Sequence, residues 1–128
     1  MPITVDWFDT EQTIVRYEFA GRWSWTDLHA AVDEVQDMLA SVDHRVDIII
    51  DVSQNVGIPS GAIMQMKSGS MKANKNWGMG VFVGTGAFIN ALITSFTRIY
   101  PKMAERYAIA VSIDEAHKLI IERRTTTT

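Results

Sequence analysis

Gly84-Thr85-Gly86 is the string that comes nearest to a ligand-binding signature in this chain. Two glycines one residue apart open the dinucleotide fingerprint, where they make a tight turn and let backbone approach a pyrophosphate. The third glycine of that pattern would fall at Ile89, where a bulky side chain obstructs close helix–strand packing. The sequence contains no G-x-x-x-x-G-K-[ST] run, so the P-loop is missing. Gly57-Ile58-Pro59-Ser60-Gly61 only loosely follows a nucleophile elbow, because Ile58 holds the position where glycine precedes the serine by two. His29, His44 and His117 have no paired metal-ligand spacing. No carboxylate pair stands out for acid–base work, and the acids read as solvated helix and turn positions. Zero cysteines remove disulfides, thiolate metal sites and cysteine nucleophiles. These residues predict a non-enzymatic chain with no metal and no cofactor.

The elements that carry these residues fit one domain. At 128 residues the chain has the modal domain length, and a core of that size buries roughly two-thirds of the surface on folding. Residues 1–124 are expected to form a single domain, with the four threonines 125–128 as a disordered tail. The net charge of −3 hides a strong asymmetry. Residues 1–58 carry eleven acids against three bases, a balance of −8, and residues 59–128 carry four acids against nine bases, a balance of +5. Such a division either marks an anionic partner or is neutralised within the fold. Nothing in the sequence supports nucleic acid as that partner.

The N-terminus has no basic region followed by an apolar run, so no secretory signal is read there. The 22 uncharged residues between Lys75 and Arg98 are long enough to span a membrane. Gly78, Gly80, Gly84 and Gly86 break them up, and they read better as a strand, a turn and a helix. A cytoplasmic location without a transmembrane span is expected, and peripheral membrane contact stays open.

Periodicity gives the order of elements. Ile3, Val5 and Trp7 alternate with polar residues, and Val15, Tyr17 and Phe19 do the same, so a hairpin turns over Asp9–Gln12 and ends at Gly21. Ser24 and Asp27 form an acidic capping box for a helix whose stripe is Leu28, Ala31, Val32, Val35, Met38 and Leu39. The run 46–50 is a covered strand closed by Asp51. Ser60 caps a second helix through about residue 74, a cap being worth ~1 kcal/mol. Residues 80–83 make a strand, and Phe88, Leu92, Phe96 and Ile99 step along a third helix that Pro101 kinks or ends. Residues 107–111 form the last strand, and Ser112 with Glu115 caps the last helix. The fold class is α/β: a single mixed, mainly parallel sheet with a leading β-hairpin, in the order ββαβαβαβα, with helices packed against it.

Aromatic and sulfur side chains add two alternatives. Trp23 and Trp25 either line a ligand pocket or pack the first helix across the hairpin. Trp77 follows a polar run and is expected to be partly exposed. Met64, Met66, Met71 and Met79 give the region of the second helix an adaptable apolar surface, suited to core filling or to a partner.

This order, with several local strings, resembles the STAS superfamily, in particular its SpoIIAA-like branch. Asp51-Val52-Ser53 is similar to that family's D-L-S strand end, Phe19-Ala20-Gly21 before Trp25-Thr26-Asp27-Leu28 to its approach to the first helix, and Ser112-Ile113-Asp114-Glu115-Ala116 to its S-x-E-E-A helix start. The likeness covers residues 3–123. It implies a non-enzymatic regulatory domain that binds a protein partner, with a phospho-acceptor serine at the second helix. Ser60 falls on that position in an ungapped count from Asp51, with Pro59 and Ala62 replacing the motif's aspartate and glycine; a one-residue shift instead aligns Ser60-Gly61 with the family's second serine and glycine and puts Pro59 on the acceptor. A phosphate on Ser60 would meet free N–H groups at a helix N-terminus.

The expected contact surface is Met64, Lys67, Met71, Lys72, Phe88, Leu92 and Phe96. Its occupant is a protein partner or a second copy of the chain as a homodimer. The alternative function is a carrier of a small apolar or lipid-like ligand.

Overall fold

The computed structural model describes residues 2–55, 76–84, 87–99, 101 and 105–126. Five strands form one sheet in sequential order: β1 (Ile3–Trp7), β2 (Ile14–Gly21), β3 (Val46–Asn55), β4 (Trp77–Val83) and β5 (Tyr107–Ala110). The β1–β2 pair is antiparallel, and the other three pairs are parallel. The described helices are α1 (Trp25–Ala40), α2 (Ala87–Ile99) and α3 (Ile113–Thr126). The described order is thus ββαββαβα. It differs from the expected one by the helix read over 60–74, which lies outside the described residues.

Side-chain alternation divides the core between the two faces of the sheet. Val15, Tyr17 and Phe19 of β2 point to one face with Ile3 of β1 and with Val46 and Val52 of β3. Ala31, Val35 and Leu39 of α1, and Ile89 of α2, cover that face. Ile14, Ile49, Met79, Val81, Val83 and Ala110 point to the other face, under Ala116 and Ile120 of α3. Topology explains the division. Parallel crossovers of one hand that advance in one direction along a sheet place their helices on one face. The β2–β3 and β4–β5 connections do so with α1 and α2. Helix α3 follows the last of the described strands and covers the opposite face.

The local signals for α1 are present as read. Ser24 Oγ accepts from the Asp27 N–H at 3.1 Å, and Asp27 Oδ2 accepts from the Ser24 N–H at 2.9 Å. At α3, Ser112 Oγ accepts from the Glu115 N–H at 3.1 Å. Glu115 reaches the Val111 N–H instead of the Ser112 N–H, a variant of the expected box. Trp23 lies edge-on between Phe19 and Trp25, each centroid 5.2 Å away, so this aromatic cluster packs the helix entry onto the hairpin.

Several boundaries require correction. Strand β3 does not stop at Asp51 but runs to Asn55, because β2 extends beside it and Gly21 pairs with Asn55. Strand β4 begins at Trp77, not Gly80, and Trp77 is buried instead of partly exposed, at 6%. Helix α3 continues through Thr126, so Thr125 and Thr126 are helical, not tail; the Thr125 hydroxyl donates to the Glu122 carbonyl at 2.8 Å. Among the described residues no helix is long and apolar enough to cross a membrane.

Gly80 decides how closely β4 and β5 approach on the α1 face. It is paired with Tyr107, and a Cβ at Gly80 would lie 2.4 Å from the Tyr107 ring. That ring is itself packed against Trp77 and Phe82, with centroids 5.3 Å and 5.2 Å away. Gly80→Ala is therefore expected to destabilise the fold by about 1–3 kcal/mol through overpacking. Urea denaturation of the variant measures this directly.

Candidate functional site

A carboxylate stands at the second position of β3, inside its apolar run. Asp47 is fully buried, at 0% exposure, where an unpaired charge would be very costly. Its surroundings supply the pairing. Oδ1 accepts from the Arg45 Nε–H at 3.0 Å and from the Met79 backbone N–H at 2.8 Å. Arg124 of α3 brings Nε to 2.8 Å and Nη2 to 2.7 Å from Oδ2.

Strand irregularity makes one of these bonds available. Between Val46–Ile48 of β3 and Trp77–Gly80 of β4 the register shifts by one residue. Such a bulge takes a backbone group out of the ladder, and the Met79 N–H goes to the carboxylate. Glycine at position 78 leaves room for this. A Cβ there would lie 2.1 Å from Arg45 Nε and 2.2 Å from Asp47 Oδ1.

The network continues into the hairpin turn. Arg124 Nη2 donates to the Thr13 carbonyl at 2.9 Å and Nη1 to the Thr13 hydroxyl at 3.2 Å. The Thr13 hydroxyl in turn donates to Asp9 Oδ2. Asp9 Oδ1 accepts from the backbone N–H groups of Thr13 and Ile14. Burial acts to raise the Asp9 pKa, but the bonds from Thr13 and Ile14 outweigh it and hold the carboxyl below its ordinary value of 3.8. A lowered pKa stabilises the fold above the unfolded value, and that contribution is lost as pH falls through the folded one.

A second ionic group occupies the same face toward the other end of β3. Asp51 is 6% exposed. Its Oδ1 accepts from the Ser53 N–H at 3.0 Å and the Ser53 hydroxyl at 2.5 Å. Arg16 Nη2 lies 3.5 Å from Asp51 Oδ2 and 3.2 Å from Glu18 Oε2. Asp47 and Asp51 thus correct the expectation that the acids are solvated.

The candidate site lies where the parallel strands begin. Arg45 precedes β3, Asn76 precedes β4, Arg106 precedes β5, and Arg123 stands on the last turn of α3. With Asp43, Trp77, Gly78 and Met79 they line an open depression of about 580 Å³. Asn76 fixes its floor by donating from Nδ2 to the carbonyls of Leu39 at 2.8 Å, His44 at 3.0 Å and Val42 at 3.3 Å. The Arg106 guanidinium lies over the Trp77 ring, 5.0 Å from its centroid, a cation–π arrangement. Burial pushes the neighbouring Tyr107 phenol up, well above its ordinary range, with Arg106 acting in the opposite sense. The arrangement is a cationic surface with an aromatic ring beneath Arg106.

The sequence-derived site is elsewhere. Ser60, Met64, Lys67, Met71 and Lys72 lie outside the described residues. Phe88, Leu92 and Phe96 fall on α2, and their side chains are outside the described set. Reading by motif missed the arginine depression because its residues are single positions ahead of three separate strands and in the last turn of α3. The usable signal was Asp47, a charge inside a β-branched strand, which demands a buried cation from elsewhere. Among the described residues no group of three or more His, Asp or Glu could hold a metal ion. Neither a family model nor a curated protein matches the chain.

Asp47→Ala is expected to cost about 3 kcal/mol, since breaking a buried pair strands its partners. Asp47→Asn keeps an acceptor for the Met79 N–H and is expected to cost roughly half as much. Paired urea denaturation curves test the ranking; equal costs would show that the charge carries the whole effect.

Proposed function

We propose that the chain is a non-enzymatic, cytoplasmic regulatory domain that acts by binding a protein partner, as its resemblance to SpoIIAA-like STAS domains implies. The observation that carries this reading is the open arginine-lined depression at the start of the parallel strands. Its shape gives a partner access without any rearrangement of the sheet. One of its cations, Arg45, is held in place by a buried carboxylate, and preorganised contacts lose less entropy on binding. The sequential sheet with its leading antiparallel pair and the Ser112 cap of α3 are in keeping with the same resemblance.

A cationic surface of this kind favours acidic partners and gives salt-dependent association. Purified protein immobilised on a resin is expected to retain a defined set of proteins from extract at low salt. An Arg106→Glu/Arg123→Glu variant is expected to lose that set while still unfolding in one cooperative transition. Retention of the same proteins by the charge-reversed variant would place the contact surface elsewhere and contradict the reading.

A further inference from the structure

The two edges of the sheet are finished differently. Among the described strands β1 and β5 are the edges, and an edge strand presents backbone N–H and C=O groups that can pair with another chain. Proteins blunt such edges with proline and with charge. The β1 edge has both, with Pro2 just ahead of the strand and the exposed Asp6 within it. Strand β5 reads Tyr107-Ala108-Ile109-Ala110 and has neither.

The ladder to β4 fixes which groups of β5 turn outward. The Gly80 N–H donates to the Arg106 carbonyl at 2.9 Å, and the Gly84 N–H donates to the Ala110 carbonyl at 3.0 Å. Backbone groups of successive strand residues turn to alternate sides, so Ile109 directs its N–H and C=O away from β4. Its side chain is 39% exposed, and that of Val111, two residues on, is 65% exposed. With Ile121 they are the large hydrophobic side chains left exposed among the described residues. Backbone and side chain at Ile109 thus both lack cover on the outer edge.

The ends of this segment carry opposite charges. Arg106 precedes the strand, Asp114 and Glu115 follow it, and all three are exposed. A parallel neighbour of the same sequence would set like charges side by side. An antiparallel neighbour brings Arg106 of each copy toward the acids of the other. The segment is therefore its own complement, as a twofold interface requires.

We propose that β5 pairs antiparallel with β5 of a second copy, about a twofold axis at Ile109, joining the two sheets into one. In this register Ile109 faces its counterpart, Tyr107 faces Val111, and Arg106 falls opposite Ser112, just short of Asp114. The Ile109 N–H and C=O bond their equivalents across the axis. Ile109 and Val111 lose their exposure in the same step. The inference goes beyond the partner-binding reading and does not rest on it.

The chain has no cysteine, so single substitutions report the register. Opposed Cα atoms of a hydrogen-bonded antiparallel pair lie about 5.5 Å apart, within disulfide range. Ile109→Cys is expected to give a covalent dimer under mild oxidation, read by denaturing electrophoresis without reductant. Thr4→Cys, exposed on the β1 edge, is expected to stay monomeric at the same concentration. Sedimentation equilibrium of the unsubstituted chain is expected to show a dimer at micromolar concentration. Ile109→Lys sets two like charges opposite each other and is expected to weaken dimerisation about tenfold. Val111→Lys, at a far more exposed position, is expected to weaken it without disturbing cooperative unfolding in urea, and so decides the matter if Ile109→Lys fails to fold. Three results overturn the proposal: a monomer across the micromolar range, a dimer unaffected by Val111→Lys, or cross-linking of Thr4→Cys as fast as Ile109→Cys. A monomer that still retains proteins from extract leaves the partner-binding reading standing, and a dimer that retains none sinks that reading alone.

Discussion

The buried carboxylate of Asp47 is the constraint around which the described structure is arranged. Desolvating an ionised group is costly, and only well-placed donors offset it. Here they come from three separate parts of the chain: Arg45 at the strand's own start, the bulged Met79 amide of β4, and Arg124 near the end of α3. Each fixes something else. The bulge sets the register of β4 against β3. Arg124 joins α3 to the Asp9–Thr13 hairpin turn. Arg45 is turned toward the depression that Arg106 and Arg123 complete.

The two faces of the sheet are held in different ways. The α1 face is dominated by hydrophobic burial, with Val35, Leu39, Tyr17 and Phe19 at its centre. The α3 face has a smaller apolar cluster, around Ile49, Val81 and Ile120, flanked by the Asp47 and Asp51 groups. The difference follows from the connections. The crossovers commit α1 and α2 to one face, and α3 covers the other. Arg124, in the last turn of α3, gives that helix a directional anchor to β3 and to the hairpin turn.

Much of this architecture is legible from residue patterns. Period-two alternation over 3–7 and 15–19 marks the hairpin, and Ser24 with Asp27 marks the start of α1, because both signals are local. The mixed, mainly parallel sheet follows from a leading hairpin and alternating units. Strand ends are less legible: β3 continues past Asp51 since its length is set by pairing with β2, a partner that local composition does not identify. Trp77 looked exposed beside a polar run, yet Tyr107 and Phe82 from other strands enclose it. The depression was illegible for a related reason. Arg45, Arg106 and Arg123 have no mutual spacing, and only the parallel registration of β3, β4 and β5 brings two of them beside the end of α3.

Charge division in the sequence also takes on a spatial meaning. The acidic first part contributes Asp47, and the basic second part contributes Arg124, so part of the asymmetry is cancelled inside the fold. Arg106 and Arg123 remain at the surface, beside Trp77. The most direct test of the Asp47 anchor is native-state hydrogen exchange of an Arg124→Gln variant. Amides of α3 are expected to exchange about tenfold faster or more through local opening, while those of β2 and β3 keep their protection. Unchanged α3 protection, or a uniform loss across helix and sheet alike, would contradict the account.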